Sequence, residues 1–147
     1  MTLDDMRMLV ENLPDFSCVI DGDVLRIENI DTESQFISEI GGDIIQIRQA
    51  VKFDCDKITE NELFSLLRLC SSINERFSLT KSFIDHWGVL ITSCELHIPN
   101  LRESEFSLYL DQVEFMSLSM LSLLKIMETE GREILEGDID AILSVRT

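Results

Sequence analysis

At 147 residues, with 45% hydrophobic and 27% charged positions, the chain has the length and composition of one globular domain, which excludes a disordered polymer. Its 28 acids against 12 bases give a formal charge of −16, which makes phosphate backbones and anionic lipid surfaces poor partners. The same charge suits solubility, or a cationic or amphipathic protein segment as partner. The first residues, Met1 to Arg7, show no basic stretch leading into an apolar core, and no apolar run approaches the roughly 20 residues of a membrane span. A cytoplasmic protein is expected. Its four cysteines, Cys18, Cys55, Cys70 and Cys94, are widely spaced without a CxxC pattern, so reduced thiols are expected, with no metal and no cofactor.

In chain order, Leu3 to Asn12 reads as a first helix with Leu3, Met6 and Val10 on one face, Thr2 as its cap and Pro14 ending it. Phe16, Cys18 and Ile20 alternate along a half-buried strand. Asp21-Gly22 turns it into a second, Asp23 to Glu28. A third strand covers Gln35 to Ile40, and Gly41-Gly42 reverses it into a fourth from Ile44 to Phe53. Thr59-Glu60-Asn61-Glu62 is a capping box that opens a helix whose Leu63, Leu66, Leu67, Cys70, Ile73 and Phe77 form a wide apolar stripe. Leu79 to Asp85 and Val89 to Ile98 then read as a strand pair joined near His86-Trp87-Gly88, with Pro99 and Asn100 breaking its edge. The longest helix runs from Ser104 to about Glu130. Its first half is amphipathic through Phe106, Leu110 and Val113, and its second half, Phe115 to Leu124, is apolar nearly all round. Gly131 caps it, and Ile134, Leu135, Ile139 and Ile142 suggest a short final helix.

The expected fold is therefore α+β, a single domain over residues 1–147, with a mainly antiparallel sheet flanked by three principal helices in the order α-β-β-β-β-α-β-β-α. Particular residues strengthen that layout: Ser72-Ile73-Asn74, then Lys81, Phe83 and Asp85, the strand Leu90 to Leu96, Phe106 and the Ser119-Met120 stretch. Together they resemble the bacterial YbjN-like family, whose fold is similar to the type III secretion chaperones. A second bacterial family, associated with phage-shock-protein-A-like genes, has a similar layout. The resemblance implies a compact α+β domain, often dimeric and without enzymatic chemistry, acting as a chaperone-like binder or a regulator. It supplies no catalytic motif to carry over. Asn74, its one polar residue of note, also reads plainly as a helix-ending Asn bonded to the next loop.

The chemistry-bearing residues have bland readings beside the sharp ones. Cys94 and His97 look like a ligand pair, but on a strand their odd spacing sends the two side chains to opposite faces. Asp54-Cys55-Asp56 offers oxygen ligands yet lacks the alternating acids and central glycine of a calcium loop. No GxSxG elbow, GxGxxG turn or P-loop is present. What remains is apolar. A helix apolar on both sides needs a second surface, so Phe115, Met116, Met120, Leu123 and Met127 are the expected partner-binding or dimer-interface residues, with ordinary core as the plain reading of each. The expected function is a non-catalytic, chaperone-like or regulatory module acting as a homodimer on a polypeptide partner, with neither nucleic acid nor membrane involved. The rival is a small acidic hydrolase or lyase that clusters carboxylates around His86 or His97.

Overall fold

Two threonines start helices where the sequence marks them. Thr2 Oγ1 accepts the Asp5 N–H at 3.1 Å while the Asp5 carboxylate accepts the Thr2 N–H at 2.8 Å, opening α1 (Leu3–Glu11). Thr59 and Glu62 make the same reciprocal cap for α2 (Glu60–Arg76). Between them lie β1 (Phe16–Asp21), β2 (Val24–Asn29), β3 (Gln35–Gly41) and β4 (Ile44–Ala50), joined as hairpins whose registers pair Ile20 with Leu25, Ile27 with Phe36 and Ile40 with Ile45. Gly22 and Gly42 turn the first and last of these at φ near 60°, which a side chain would resist. After α2 come β5 (Thr80–Ile84), β6 (Leu90–His97), the 28-residue α3 (Glu103–Glu130) and α4 (Glu136–Leu143).

This is a computed structural model describing residues 1–53, 55–77 and 79–144, with Asp56 and Asn100 described by their backbones alone. The six strands form one antiparallel sheet in the order β1-β2-β3-β4-β6-β5, and with four helices the class is the α+β expected. The fourth strand stops at Ala50 rather than Phe53, although Val51 N–H still bonds Leu90 C=O at 2.8 Å. The Asp54 to Asp56 turn weighed for calcium has both carboxylates outside the described residues. No described helix is long and apolar enough to cross a membrane.

The chain divides into two compact units, Met1–Gln49 with Ser93–Glu114, and Ala50–Thr92 with the chain from Phe115 onward. Unit 1 packs α1 and the start of α3 on one face of its strands. Met6, Val10, Leu25, Ile27, Phe36, Ile45, Ile47, Cys94, Phe106 and Leu110 form its core. Unit 2 buries Leu66, Leu69, Cys70 and Ile73 of α2 against Leu90, Met116, Met120, Leu123, Leu124 and Met127, with Ile139 of α4 closing it. The boundary between the units falls inside β6 and α3, not in a linker.

Unit 1 holds one buried carboxylate that its sequence pattern does not announce. Glu114 accepts from Thr32 Oγ1 and Ser34 Oγ, both at 2.6 Å, and from Asn29 Nδ2 at 3.3 Å. Asn29 Oδ1 in turn accepts the Asp31 N–H at 3.0 Å, so the β2–β3 connection is pinned to α3 by side chains alone. Glu114→Ala strands these donors, of which Asn29 is buried, at a cost of roughly 1–3 kcal/mol. A thermal melt should show the loss as a midpoint lower by several degrees, and an unchanged midpoint would mean the donors find water instead.

Candidate functional site

The apolar stripe of α2 is wider than the face the core can take. Leu66, Leu69, Cys70 and Ile73 are buried at 100° spacing, while Leu63, Phe64 and Leu67 fall on the flank and stay exposed, Phe64 to 58%. The expected apolar stripe included Leu63 and Leu67 and did not include Leu69. The structure leaves the first two exposed and buries Leu69, because a single helix face spans only part of a turn. Three apolar side chains are thus left in solvent on one helix.

Beside them lies a cleft of about 890 Å³ in unit 2, formed by the first turns of α2 and by the end of α3 with the turn after it. Phe64 and Met127 give it apolar walls, and Glu62, Arg68, Glu128, Arg132 and Glu133 carry its charge. Both arginines are engaged, while Glu128 has no ion pair among the described residues. Arg68 is paired with Glu133, which also accepts from Ser65 Oγ at 3.3 Å. Arg132 reaches Glu130 at 2.6 Å and grips Asp138 through two nitrogens at 2.7 and 2.9 Å. A smaller depression of about 180 Å³ continues past Arg68 and Glu133 toward Leu69 and Ile139. Gly131, at φ 60°, ends α3 with its N–H on Met127 C=O at 3.0 Å, and so turns the chain to make the far wall.

Of the five residues expected at an interface, Met116, Met120, Leu123 and Met127 are buried in the core of unit 2, each at most 5% exposed, and Phe115 is half-buried. The plain reading of core therefore describes the four in the single chain. The helix is apolar nearly all round because α2, β6 and α4 residues surround it there, leaving Leu118 as the exposed apolar residue of that stretch. Met127 alone of the five also lines the cleft. Phe64, the residue most open to a partner in this cleft, lay one position outside the periodicity used to find the core. Its signal in the sequence was an aromatic in the first turns of a helix already supplied with leucines.

Ser65, the hydroxyl in the cleft, donates to a glutamate already paired with arginine, and both histidines lie elsewhere: His86 stacks on Trp87 with ring centres 3.5 Å apart, and His97 is exposed. Cys94 is buried where His97 is exposed, the opposite-face placement that odd spacing on a strand dictates. Burial pushes the Cys94 and Cys70 thiols up to about 12, and the Cys18 thiol is also raised by burial. Among the described residues no group of three or more His, Cys, Asp or Glu side chains could hold a metal.

No family model and no curated protein matches the chain. Among solved structures, YbjN from E. coli, a candidate transcription regulator, aligns with a TM-score of 0.65 at 17% identity, covering 85% of this chain and 93% of that one. The fold is YbjN-like. The ExsC-ExsE complex supplies a second match, with a TM-score of 0.64 at 15% identity over 84% of this chain and 97% of that one, which makes the fold type III secretion chaperone-like as well. An uncharacterized protein from Methanothermobacter thermautotrophicus shares it at a TM-score of 0.58 and 10% identity, over 83% and 97% of the two chains.

Asp138 ties the cleft's far wall to α4, and its titration gives a test. Its hydrogen bonds from Arg132, and then from the Leu135 N–H, hold its carboxyl at about 2, below its ordinary 3.8. A depressed carboxyl contributes stability above its unfolded value and loses it as pH falls through the folded one. Anchoring of α4 should therefore weaken between pH 3.8 and about 2. Chemical shifts of Ile139 and Leu135 followed through that window should move in the native chain. In Asp138→Asn they should already sit near the acid limit at neutral pH.

Proposed function

We propose that the chain is a non-catalytic, chaperone-like or regulatory module that binds a polypeptide partner, acting in the cytoplasm as a homodimer and as one α+β domain of 147 residues. The observation that carries this reading is the cleft of unit 2, where an exposed Phe64 and the edge of Met127 stand beside two arginines that are already ion-paired. An apolar wall rimmed by satisfied ion pairs suits a protein chain: the aromatic supplies an anchor and the rim excludes water around it. The fold agrees, since ExsC is seen in complex with a second protein, ExsE. The formal charge of −16 favours a partner with basic or amphipathic segments over nucleic acid or membrane. For the homodimer, Leu118, 55% exposed, is the apolar residue that α3 presents to a second copy.

Phe64→Ser tests the cleft without touching the core. Loss of an aromatic anchor should cost roughly 2 kcal/mol, about thirtyfold in partner affinity. Affinity capture from the source organism should then recover a protein with the native chain that the variant releases, at an unchanged melting temperature. Recovery of the same proteins by both would count against the cleft. Light scattering should give twice the 16.9 kDa chain mass, and a monomer mass would remove the homodimer.

A further inference from the structure

The sheet has two outer strands, and they treat their outward backbone groups differently. Along an antiparallel strand, successive residues point N–H and C=O alternately to one neighbour and the other. In unit 2, Asp85 N–H bonds Val89 C=O at 2.9 Å across the hairpin, which sets Phe83 and Lys81 toward β6 and Ser82 outward. Asn74 of α2 meets Ser82 there. Its Nδ2 donates to Ser82 C=O at 2.8 Å, and its Oδ1 accepts the Ser82 N–H at 2.7 Å. A side-chain amide stands in for a neighbouring strand at Ser82, and the edge is covered there.

The edge in unit 1 is open. Ile30 N–H bonds Asp15 C=O at 2.8 Å, so with the register Ser17 to Glu28, Val19 to Arg26 and Asp21 to Val24 these β1 residues face β2. Cys18 and Ile20 must then point N–H and C=O away from the sheet, and no backbone or side-chain group of the described residues is seen bonding them. β1 carries no lysine and no proline, the usual means of blunting an edge. Val19 is 58% exposed and Ile20 37%. The surroundings are strongly negative, since unit 1 holds 16 acids against 4 bases. The arginines near this edge are already engaged, Arg7 by Asp4 and Glu11 and Arg26 by Asp21, while exposed Asp15 and Asp23 have no ion pair among the described residues.

We propose that the outer edge of β1 is a docking site for an extended basic segment of a partner polypeptide, added as a further strand on the backbone groups of Cys18 and Ile20. Alternate apolar residues of such a segment would meet Val19, and its lysines or arginines would meet Asp15, Asp21 and Asp23. A second copy fits less well, because it would bring two surfaces of the same sign together. This site lies in unit 1 and is separate from the cleft.

Residue-resolved amide exchange with a capped peptide of alternating lysine and valine tests the assignment. At ten times its Kd the peptide should slow exchange at Cys18 and Ile20 about tenfold. Val19, already paired with Arg26, should keep its rate, and a matching glutamate–valine peptide should have no effect. Ile20→Pro removes the outward N–H, together with the isoleucine side chain, and should abolish the protection at Cys18. Asp23→Lys, on an exposed turn, should weaken the peptide roughly two- to fivefold with an unchanged melt. Phe64→Ser should bind it as the native chain does, so failure here is distinct from failure of the cleft. Protection mapping elsewhere, or an equal response to the acidic peptide, overturns the proposal. So does slow exchange at Cys18 and Ile20 that quickens on dilution of the peptide-free protein, which would give the edge to a second copy.

Discussion

The rest of the structure depends on the burial of α3. A helix of 28 residues whose later half is apolar nearly all round has no stable place on a surface, because each exposed leucine or methionine side chain forgoes roughly 1.5–3 kcal/mol of burial. Its first turns give Phe106, Leu110 and Val113 to the core of unit 1. Its later turns give Met116, Met120, Leu123, Leu124 and Met127 to unit 2, where α2 and α4 supply the remaining walls. Of the serines within that run, Ser119 Oγ donates back to Phe115 C=O at 2.8 Å, which satisfies its hydroxyl inside the helix, while Ser117 Oγ is buried with no hydrogen-bond partner among the described residues. With most of α3 used as core, the apolar side chains that stay exposed in unit 2 include Leu63, Phe64 and Leu67 of α2 and Leu118 of α3.

Much of the fold was legible because local chemistry and global structure agree. The two capping boxes sit at Thr2 and Thr59, Gly22 and Gly42 stand in the hairpin turns, and Gly131 stops the longest helix, each where a positive φ or a satisfied N-terminal amide was required. Asn74 was legible in kind, as a helix-ending amide bonded to the following segment. Its service as a cover for a strand edge was not, since that needs the strand's hydrogen-bond phase. The site was less legible. Periodicity reports how apolar a helix face is, not how much neighbouring surface exists to cover it. Hence α3, rich on all sides, looked like the unfinished face, whereas α2, whose stripe looked complete, is the helix that leaves Phe64 and Leu67 in solvent. Glu114 was invisible for a similar reason: one acid among 28 carries no mark of burial, and its donors lie about 80 residues away in sequence.

Charge divides along the same lines as packing. Unit 1 carries 16 acids and 4 bases, and unit 2 carries 12 and 8. In unit 2 the arginines lock the end of α3 and α4 to α2, as Arg68 with Glu133 and Arg76 with Asp140. These pairs are exposed and screened by solvent, so they position the elements more than they stabilise them. In unit 1 too few bases exist to pair the acids, and a field of one sign remains, which steers cationic chains and repels like ones within a Debye length of about 10 Å. The two units thus offer chemically different surfaces, a cleft with two apolar side chains beside ion-paired arginines, and an acidic strand edge where Asp15 and Asp23 have no ion pair among the described residues.

The central claim, that the apolar stretch of α3 is interior to the single chain, is tested most directly by the methionine methyl groups. A soluble nitroxide broadens methyl resonances that reach solvent and spares those that do not. In dilute protein it should broaden Met8, which is 58% exposed, and leave Met116 and Met120, each at most 3% exposed, unaffected. Broadening of Met116 or Met120 that appears on dilution would contradict the account, because those side chains would then be covered by a second chain and not by their own.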